Sequence, residues 1–386
     1  AALRQLASSA AQAGLVTHVI GADLNQLALP NAALAGSQLD TFHPCEVLRL
    51  TQLALEGKLR GQLLLIDDLD CVGEAIDTVL GLGEGRDVLE KLVNASRRGL
   101  FALALAGDLA NAPMRWCANI SQRLYLGVCS DTLADQAGLK RCQQAPNQVG
   151  AGVLTLASHW CAAQILLAPV LPTSAANLPA SVVDSPASAS DLPVNPSDTT
   201  TALAAAPVVA LPEIVPTCPP WALGLGGDQA QPWCPQLSQG LAIIGPAGSG
   251  RSTALARVYD ILQATDPTLA QHAIFIDNLD QACPSAINTV ETALDAGTPV
   301  FATALTSRAA NTYSGALSQL RSLSPLLLLA PGLGEGTQLA NVRLTRWLDP
   351  HRQHLPGRGL VIASSQITPI QICQNTSPTF AANPQV

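Results

Sequence analysis

One internal repeat constrains the fold of this chain more than any other feature. The stretch LLLIDDLD at 63–70 matches AIFIDNLD at 273–280 with an offset of 210 residues. Further along, VGAGVL at 149–154 matches PGRGLV at 356–361 with an offset of 207. Gln164 and Gln371 are separated by the same 207 residues. Because the two offsets differ by only three residues, we interpret the chain as two copies of one unit.

The pattern between the matched stretches indicates the class of that unit. Each copy has a polar helical stretch followed by an apolar run, GLFALALAG at 99–107 and TPVFATALT at 298–306. A second apolar run follows in each, RLYLGV at 123–128 and PLLLLA at 325–330. Short apolar runs that alternate with helical stretches are typical of parallel strands joined by crossover helices. We therefore predict two tandem α/β domains with mainly parallel sheets.

A proline-rich segment separates the two copies. Residues 172–207 contain six prolines, many Ser, Thr and Ala residues, and no Lys or Arg. Such a composition buries too little apolar surface to offset the entropy of an ordered chain. We expect a first domain over 1–170, a disordered linker over 171–207 and a second domain over 208–386.

The second copy contains a glycine-rich turn between an apolar strand and a helix. The turn reads GPAGSGRS at 245–252 and fits the pattern G-x-x-x-x-G-K-[ST] everywhere except at the lysine, which is Arg251. In this pattern, backbone N–H groups and the positive end of the helix dipole hold a phosphate, and the hydroxyl of Ser252 is expected to reach Mg²⁺. Arginine keeps the positive charge, but its planar fork is larger than a compact ammonium group.

The first copy has no such turn in this sequence. TALARV at 253–258 aligns with AALRQL at 1–6, so the first copy enters the sequence just after the expected position of its own turn. It has instead a strand, VTHVIGAD at 16–23, and a helix near 46–60 that the second copy lacks.

Each copy has an acidic strand end of the kind that holds Mg²⁺ beside a phosphate-binding loop. In such sites one acid holds the metal, and a second group orients or deprotonates the attacking water. The first copy reads IDD, so we expect Asp67 and Asp68 to be its catalytic acids. The second copy reads IDN, and the amide of Asn278 after Asp277 cannot take a proton. A solvated turn is the alternative interpretation of each run, but the repetition after two apolar strands favours the functional one.

Charge narrows the range of partners. Charged residues make up only 12% of the chain, with 20 Lys and Arg against 28 Asp and Glu, and there is no Lys or Arg between Arg141 and Arg251. Because the chain has so few cations to neutralise phosphates, we do not expect it to bind nucleic acid strongly on its own.

The ten cysteines form no CxxC pair and no zinc-type spacing, so we expect free thiols.

Four stretches together resemble the FtsK/SpoIIIE family of P-loop motors. They are GPAGSGRSTAL at 245–255, the two acidic strand ends, and PGRGLVIASSQITPIQI at 356–372. The chain is most similar to the tandem, degenerate C-terminal modules of actinobacterial members, which include the EccC/EssC-type ATPases of type VII secretion. LPEIVPTCPPWALGLGGD at 211–228 also resembles the strands that lead into such a module.

The resemblance implies two RecA-like P-loop domains, the first truncated at its N-terminus, in a homo-hexameric ring that binds ATP and Mg²⁺. It also implies upstream motor domains in the same protein and a membrane anchor on an N-terminal part outside this sequence. The modules would then be cytoplasmic domains of a membrane-anchored bacterial protein. The residues it assigns to ATP are Gly245, Pro246, Ala247, Gly248, Ser249, Gly250, Arg251, Ser252, Thr253 and Asp277, with Ser252 and Asp277 as Mg²⁺ ligands.

Two departures from the family pattern leave the function open between alternatives. Arg251 and Asn278 predict that the second copy binds ATP with little or no turnover. The first expectation is the distal, nucleotide-binding part of an ATP-driven DNA translocase. The alternative is a pair of type VII secretion modules that dock a secreted protein, which the scarcity of cations favours. A scaffold that binds no nucleotide is the third possibility.

Overall fold

The computed structural model describes most of both copies and none of the expected linker. The described residues are 2–22, 24, 35–108, 111, 119–127, 131–136, 139, 148–156, 159–165, 208–348, 354–363 and 366–374. The linker predicted over 171–207 lies outside them.

The first copy forms a parallel sheet with helices on both faces. Its elements are α1 (Ala2–Gln12), β1 (Thr17–Gly21), β2 (Ala35–Asp40), α2 (Pro44–Leu55), β3 (Leu63–Ile66), α3 (Leu69–Leu80), α4 (Glu84–Arg97) and β4 (Ala102–Leu105). The strand order is β2-β1-β3-β4, and every neighbouring pair is parallel. The sequence explains the two covered faces, because all four residues of β3 are apolar and buried. Leu64 and Ile66 pack with α2, α3 and α4, whereas Leu63 and Leu65 pack with α1.

The first copy ends in a separate antiparallel sheet. Its elements are β5 (Gln122–Leu126), α5 (Asp131–Gln136), β6 (Ala151–Leu156) and β7 (His159–Gln164). The strand order is β5-β6-β7.

The second copy forms one continuous eight-stranded sheet. Its strands are β8 (Gly224–Gly226), β9 (Gln231–Trp233), β10 (Leu241–Gly245), β11 (Ile274–Ile276), β12 (Val300–Leu305), β13 (Leu326–Leu329), β14 (Arg358–Ala363) and β15 (Gln366–Ile372). Its helices are α6 (Arg251–Thr265), α7 (Pro267–His272), α8 (Pro284–Asp295), α9 (Thr306–Ala310), α10 (Ala316–Leu323) and α11 (Leu333–Ala340), with 3-10 turns at Leu279–Gln281 and Thr345–Trp347.

The strand order of this sheet is β11-β12-β10-β13-β14-β15-β8-β9. The pairs from β11 to β13 are parallel, and those from β13 to β9 are antiparallel. The α/β prediction is therefore confirmed, although the sheet is less uniformly parallel than expected. In β10 the side chains alternate, so that Leu241 and Ile243 pack with α6 while Ala242 and Ile244 face the core of α8 to α11.

The two copies share the register of their last strands. Arg358 pairs with Gln371 between β14 and β15, and Ala151 pairs with Gln164 between β6 and β7. This is the offset of 207 that the sequence shows, so β13-β14-β15 corresponds to β5-β6-β7.

The copies differ at the centre of the sheet. In the second copy, β10 pairs with both β12 and β13. In the part of the chain that the structure describes, no strand pairs with β4 on one side and β5 on the other. The sheet of the first copy is thus in two pieces at the position where the second copy has the strand of its glycine-rich turn.

The halves contact each other where the second one begins. Val208 belongs to the apolar core of the first copy, and its N–H donates a hydrogen bond of 2.7 Å to Ser37 Oγ. Arg49 on α2 donates to both carboxylate oxygens of Asp228 over 3.0–3.1 Å. The domain limits stay a prediction. Val208, the first residue of the expected second domain, packs in the core of the first copy.

Within the described residues, no helix has the length and apolar character that a membrane crossing requires.

Candidate functional site

The glycine-rich turn connects the end of β10 to the start of α6. Gly248 and Gly250 have φ angles of 78° and 92°, in the left-handed region that side chains with a Cβ disfavour. A Cβ on Gly245 would lie only 2.4 Å from Ser249 Oγ. The backbone of the turn therefore favours glycine at 248 and 250, and the nearness of Ser249 favours glycine at 245.

Two polar groups of this turn are buried without a partner. Ser249 is only 5% exposed, and its Oγ has no hydrogen bond among the described residues. The Nη1 atom of Arg251 is likewise buried and unpartnered within that part of the chain. Unpaired buried donors cost free energy, and these two lie at the N-terminus of α6, where the helix dipole favours an anion. The arrangement suits a phosphate group.

The acidic strand end lies next to the turn. Asp277 follows β11 and accepts a hydrogen bond of 2.8 Å from Ser252 Oγ at its Oδ2 atom. Among the described residues, no cluster of three or more His, Cys, Asp or Glu side chains could hold a metal ion. A cation here would need further oxygen ligands from a bound molecule, and Mg²⁺ is held by one or two carboxylates plus substrate phosphates in many sites. Ser252 and Asp277 fit that role.

Thr303 is a site residue that the sequence analysis missed. Its Oγ1 donates to Asp277 Oδ1 over 2.5 Å and accepts from the N–H of Asn278 over 2.7 Å. The two carboxylate oxygens of Asp277 are thus each fixed by a hydroxyl group. The available signal was one threonine, fully buried, inside the apolar strand VFATAL of β12.

The residue after the first acid has the same backbone in both copies. Asn278 and Asp68 have φ angles of 58° and 57°, which Asn and Asp tolerate better than other residues with a Cβ. Asp68 caps α3 by accepting a hydrogen bond of 3.3 Å from the N–H of Cys71. A side-chain hydrogen bond to Asp68 is also the main reason that the pKa of the Cys71 thiol is raised.

The predicted residues of the two copies form two separate groups. Gly245 to Thr253 and Asp277 come together around the end of β10. Asp67 and Asp68 lie at the end of β3, and the described residues of the first copy contain no glycine-rich turn beside them. The catalytic roles of Asp67 and Asp68 stay a prediction.

A second candidate site is a largely apolar cleft between the halves. It was not visible in the sequence, because its lining residues come from segments that are distant along the chain. These are α2, residues 208, 209 and 211, Gly227 and Asp228, Pro331, residues 346–348, residues 358–360 and Pro369. Trp347, Leu348 and Leu360 supply apolar surface, and Glu46 on the opposite wall has one buried carboxylate oxygen with no partner among the described residues.

The fold is similar to two solved tandem ATPase structures. ATPases 2 and 3 of Thermomonospora curvata EccC, solved in complex with a signal sequence peptide, match with a TM-score of 0.52 and 13% sequence identity over 94% of this chain and 83% of that one. ATPases 2 and 3 of EssC from Geobacillus thermodenitrificans match with a TM-score of 0.53 and 11% identity over 96% and 88%. No protein-family model and no curated protein matches the chain.

These similarities are at the level of the fold. Both matches extend over nearly the whole chain, and both neighbours are pairs of ATPase domains. The chain therefore has a fold similar to that of the paired ATPase domains 2 and 3 of EccC and EssC, as the family resemblance implied.

Proposed function

We propose that the second copy binds ATP with Mg²⁺, turns it over slowly or not at all, and belongs to a secretion-type module that docks an exported protein. The observation that carries the nucleotide proposal is the convergence of two unpartnered buried groups, Ser249 Oγ and Arg251 Nη1, at the N-terminus of α6. The hydrogen-bonded pair of Ser252 and Asp277 beside them supports a place for the metal.

Each residue of the site has a defined role in this proposal. The backbone of Gly245 to Gly250 surrounds the phosphates, and Arg251 supplies positive charge. Bound Mg²⁺ would neutralise phosphate charge, and Ser252 and Asp277 would hold it. Thr303 keeps the carboxylate of Asp277 in position. Asn278 offers no proton acceptor for an attacking water, which supports binding without efficient hydrolysis.

The protein partner is supported by the cleft and by charge. An apolar cleft between domains is a common location for ligands, and this one could receive side chains of a peptide. The Thermomonospora neighbour was solved with a signal sequence peptide, and a net charge of −8 opposes nucleic acid. We therefore favour the secretion-type alternative over DNA translocation. The hexameric ring, the upstream motor domains, the membrane anchor and the cytoplasmic location remain part of the proposal.

Thermal unfolding with Mg-ATP tests the nucleotide proposal. A ligand at about one hundred times its Kd stabilises the folded state by about 2.7 kcal/mol, so we expect a clear rise in Tm. Gly250→Asp should abolish the rise, because a carboxylate would face the phosphates from a backbone with φ of 92°. Ser252→Ala should weaken it, whereas Ser322→Ala, which removes an exposed hydroxyl on α10, should not. A Tm that does not respond in the wild type would contradict nucleotide binding.

Salt dependence separates the two kinds of polymer partner. DNA binding that releases counterions weakens steeply with salt. We expect no DNA mobility shift at low salt and binding of a signal-sequence peptide from an exported protein to the cleft. Salt-sensitive DNA binding by this chain, without peptide binding, would support the translocase instead.

A further inference from the structure

A turn outside the phosphate loop holds one of the loop's carbonyl groups. Gly357, in the turn before β14, donates its N–H to the carbonyl of Ser249 over 2.8 Å. Gly250 permits this approach, because a Cβ there would lie only 3.3 Å from the nitrogen of Gly357. The loop is therefore anchored directly beside the residue that caps α6.

Gln371 on β15 fixes this turn from its other side. Its side chain is fully buried, and Nε2 donates to the carbonyl of Pro356 over 2.9 Å. The N–H of Ile372 donates to the carbonyl of Gly357 over 2.8 Å. The peptide groups on both sides of Gly357 are thus held by β15.

The first copy has the same turn. Gln164 Nε2 donates to the carbonyl of Val149 over 3.0 Å, and the N–H of Ile165 donates to the carbonyl of Gly150 over 2.8 Å. Gly150 and Gly357 have φ angles of 79° and 77°. The turn and its glutamine are therefore part of the repeated unit and not a peculiarity of one copy.

Only the second copy connects this turn to the segment between the halves. Arg358 donates through Nε to Gln371 Oε1 over 2.9 Å. Its Nη2 donates to the carbonyls of Leu211 and Pro212 over 3.0 and 2.8 Å. The paired position in the first copy is Ala151, which has no such side chain.

We propose that Gln371, Gly357 and Arg358 form a brace that positions the phosphate loop. The brace restricts the loop before a phosphate binds, so binding costs less conformational entropy. Because Arg358 also binds the carbonyls of Leu211 and Pro212, the affinity for nucleotide depends on the position of residues 208–212 between the halves. This inference rests on the proposed nucleotide binding, and all three residues are positioning residues, since they act through the loop.

The test compares two arginine variants of the whole chain. Arg358→Ala should weaken Mg-ATP affinity about tenfold in titration calorimetry, because hydrogen bonds from charged donors are among the stronger ones. Arg358→Lys should recover part of the loss, since an ammonium group can still reach the carbonyls of Leu211 and Pro212. The matched control is Arg321→Ala. Arg321 donates to the carbonyls of Ala309 and Thr312, away from the loop and the brace. The Mg-ATP affinity of the Arg321→Ala variant should therefore stay within about twofold of the wild-type value.

Three results would overturn the brace or what it rests on. Wild-type affinity in a folded Arg358→Ala variant overturns it, and so does an equal loss in Arg321→Ala. A wild-type chain that binds no Mg-ATP overturns the proposed function and this inference with it.

Hydrogen exchange in the wild type decides the matter if Arg358→Ala does not fold. Coupling between the loop and the brace is reciprocal. Mg-ATP should therefore slow exchange of the Gly357 amide and leave that of Ser324, which donates to Leu320 at the end of α10, unchanged. An unaltered rate at Gly357 would overturn the brace.

Discussion

At the scale of single residues, we expect two positions, Arg251 and Asn278, to limit hydrolysis in the second copy. Arg251 carries positive charge, but its guanidinium group does not act as a compact donor to the outer phosphates. Asn278 cannot accept a proton, and its backbone has a φ of 58°. That angle limits what can replace it, because Asp tolerates the left-handed region better than Glu.

The double substitution Arg251→Lys with Asn278→Asp should raise ATP turnover. Aspartate is the matching residue because Asp68 has the same backbone angle in the first copy. We expect phosphate release to increase at least about tenfold, since a positioned base typically contributes more than that. Arg251→Lys alone and Asn278→Asp alone are the controls and should gain less. No gain in the double variant would mean that other parts of the pocket prevent hydrolysis.

A buried histidine makes the stability of the first copy depend on pH. His18 on β1 is 1% exposed, accepts from the N–H of Ser37 at Nδ1 over 3.0 Å, and lies 2.6 Å from Gln62 Oε1 at Nε2. The neutral ring with its proton on Nε2 satisfies both contacts. Burial lowers the pKa of His18, and the hydrogen bond to Gln62 opposes this in part.

The free energy of unfolding should therefore fall as the pH drops below about 6.5. The folded chain binds fewer protons than the unfolded one between the lowered pKa and the ordinary pKa, so stability is complete above this window and is lost within it. Urea unfolding from pH 7.5 to 5.5 should show a smaller loss for His18→Asn than for the wild type. Parallel curves for the two proteins would show that His18 does not cause the dependence.

At the scale of secondary-structure elements, the important feature is the division of the first sheet between β4 and β5. All residues of β10 are buried between β12 and β13 in the second copy. In the first copy β4 is partly exposed, and only its contact with β3 is present among the described residues. One more parallel strand before α1 would complete this sheet.

A grafted strand should stabilise the first copy. Residues 239–252 of the second copy, placed directly before Ala1, would supply an equivalent of β10 and its loop. We expect a rise in Tm of at least a few degrees, because each buried aliphatic side chain contributes about 1.5–3 kcal/mol. The control graft carries Asp at the positions of Ile243 and Ile244 and should not stabilise. Equal Tm values for the two grafts would show that the gap does not accept a strand.

The sequence predicted elements well where apolar runs and glycines set the backbone. The strands LLLI and LAIIG and the turn GPAGSGRS were predictable, because burial on both faces and left-handed glycines leave clear patterns. Thr303 was not predictable, since one threonine in a strand does not reveal that it faces Asp277. The brace was visible only as matched glutamines, because a hydrogen bond to a backbone carbonyl leaves no residue pattern at the acceptor.

At the scale of the whole molecule, the two halves are connected by polar as well as apolar contacts. Arg49 and Asp228 form a bidentate ion pair, and both side chains are about one-third exposed. The hydrogen bond to Asp228 is the main cause of the raised pKa of Arg49. The pair borders the apolar cleft, and the carbonyl of Asp228 accepts a hydrogen bond of 2.7 Å from the N–H of Val209.

A double-mutant cycle should detect this contact in the free energy of unfolding. Arg49→Ala, Asp228→Ala and the double variant should give a coupling energy of about 1 kcal/mol, the upper range for partly exposed pairs. The coupling should fall with added salt. Additive single effects would indicate that the ion pair does not connect the halves in solution.

The proposal that the second copy binds ATP without efficiently hydrolysing it can be tested by following labelled ATP on the purified chain. Equilibrium binding with γ-labelled ATP and Mg²⁺, followed by chromatography of the bound nucleotide, measures both stoichiometry and integrity. We expect one nucleotide per chain, recovered as intact ATP, and none in Gly250→Asp. Rapid release of labelled phosphate, or no bound nucleotide in the wild type, would contradict it.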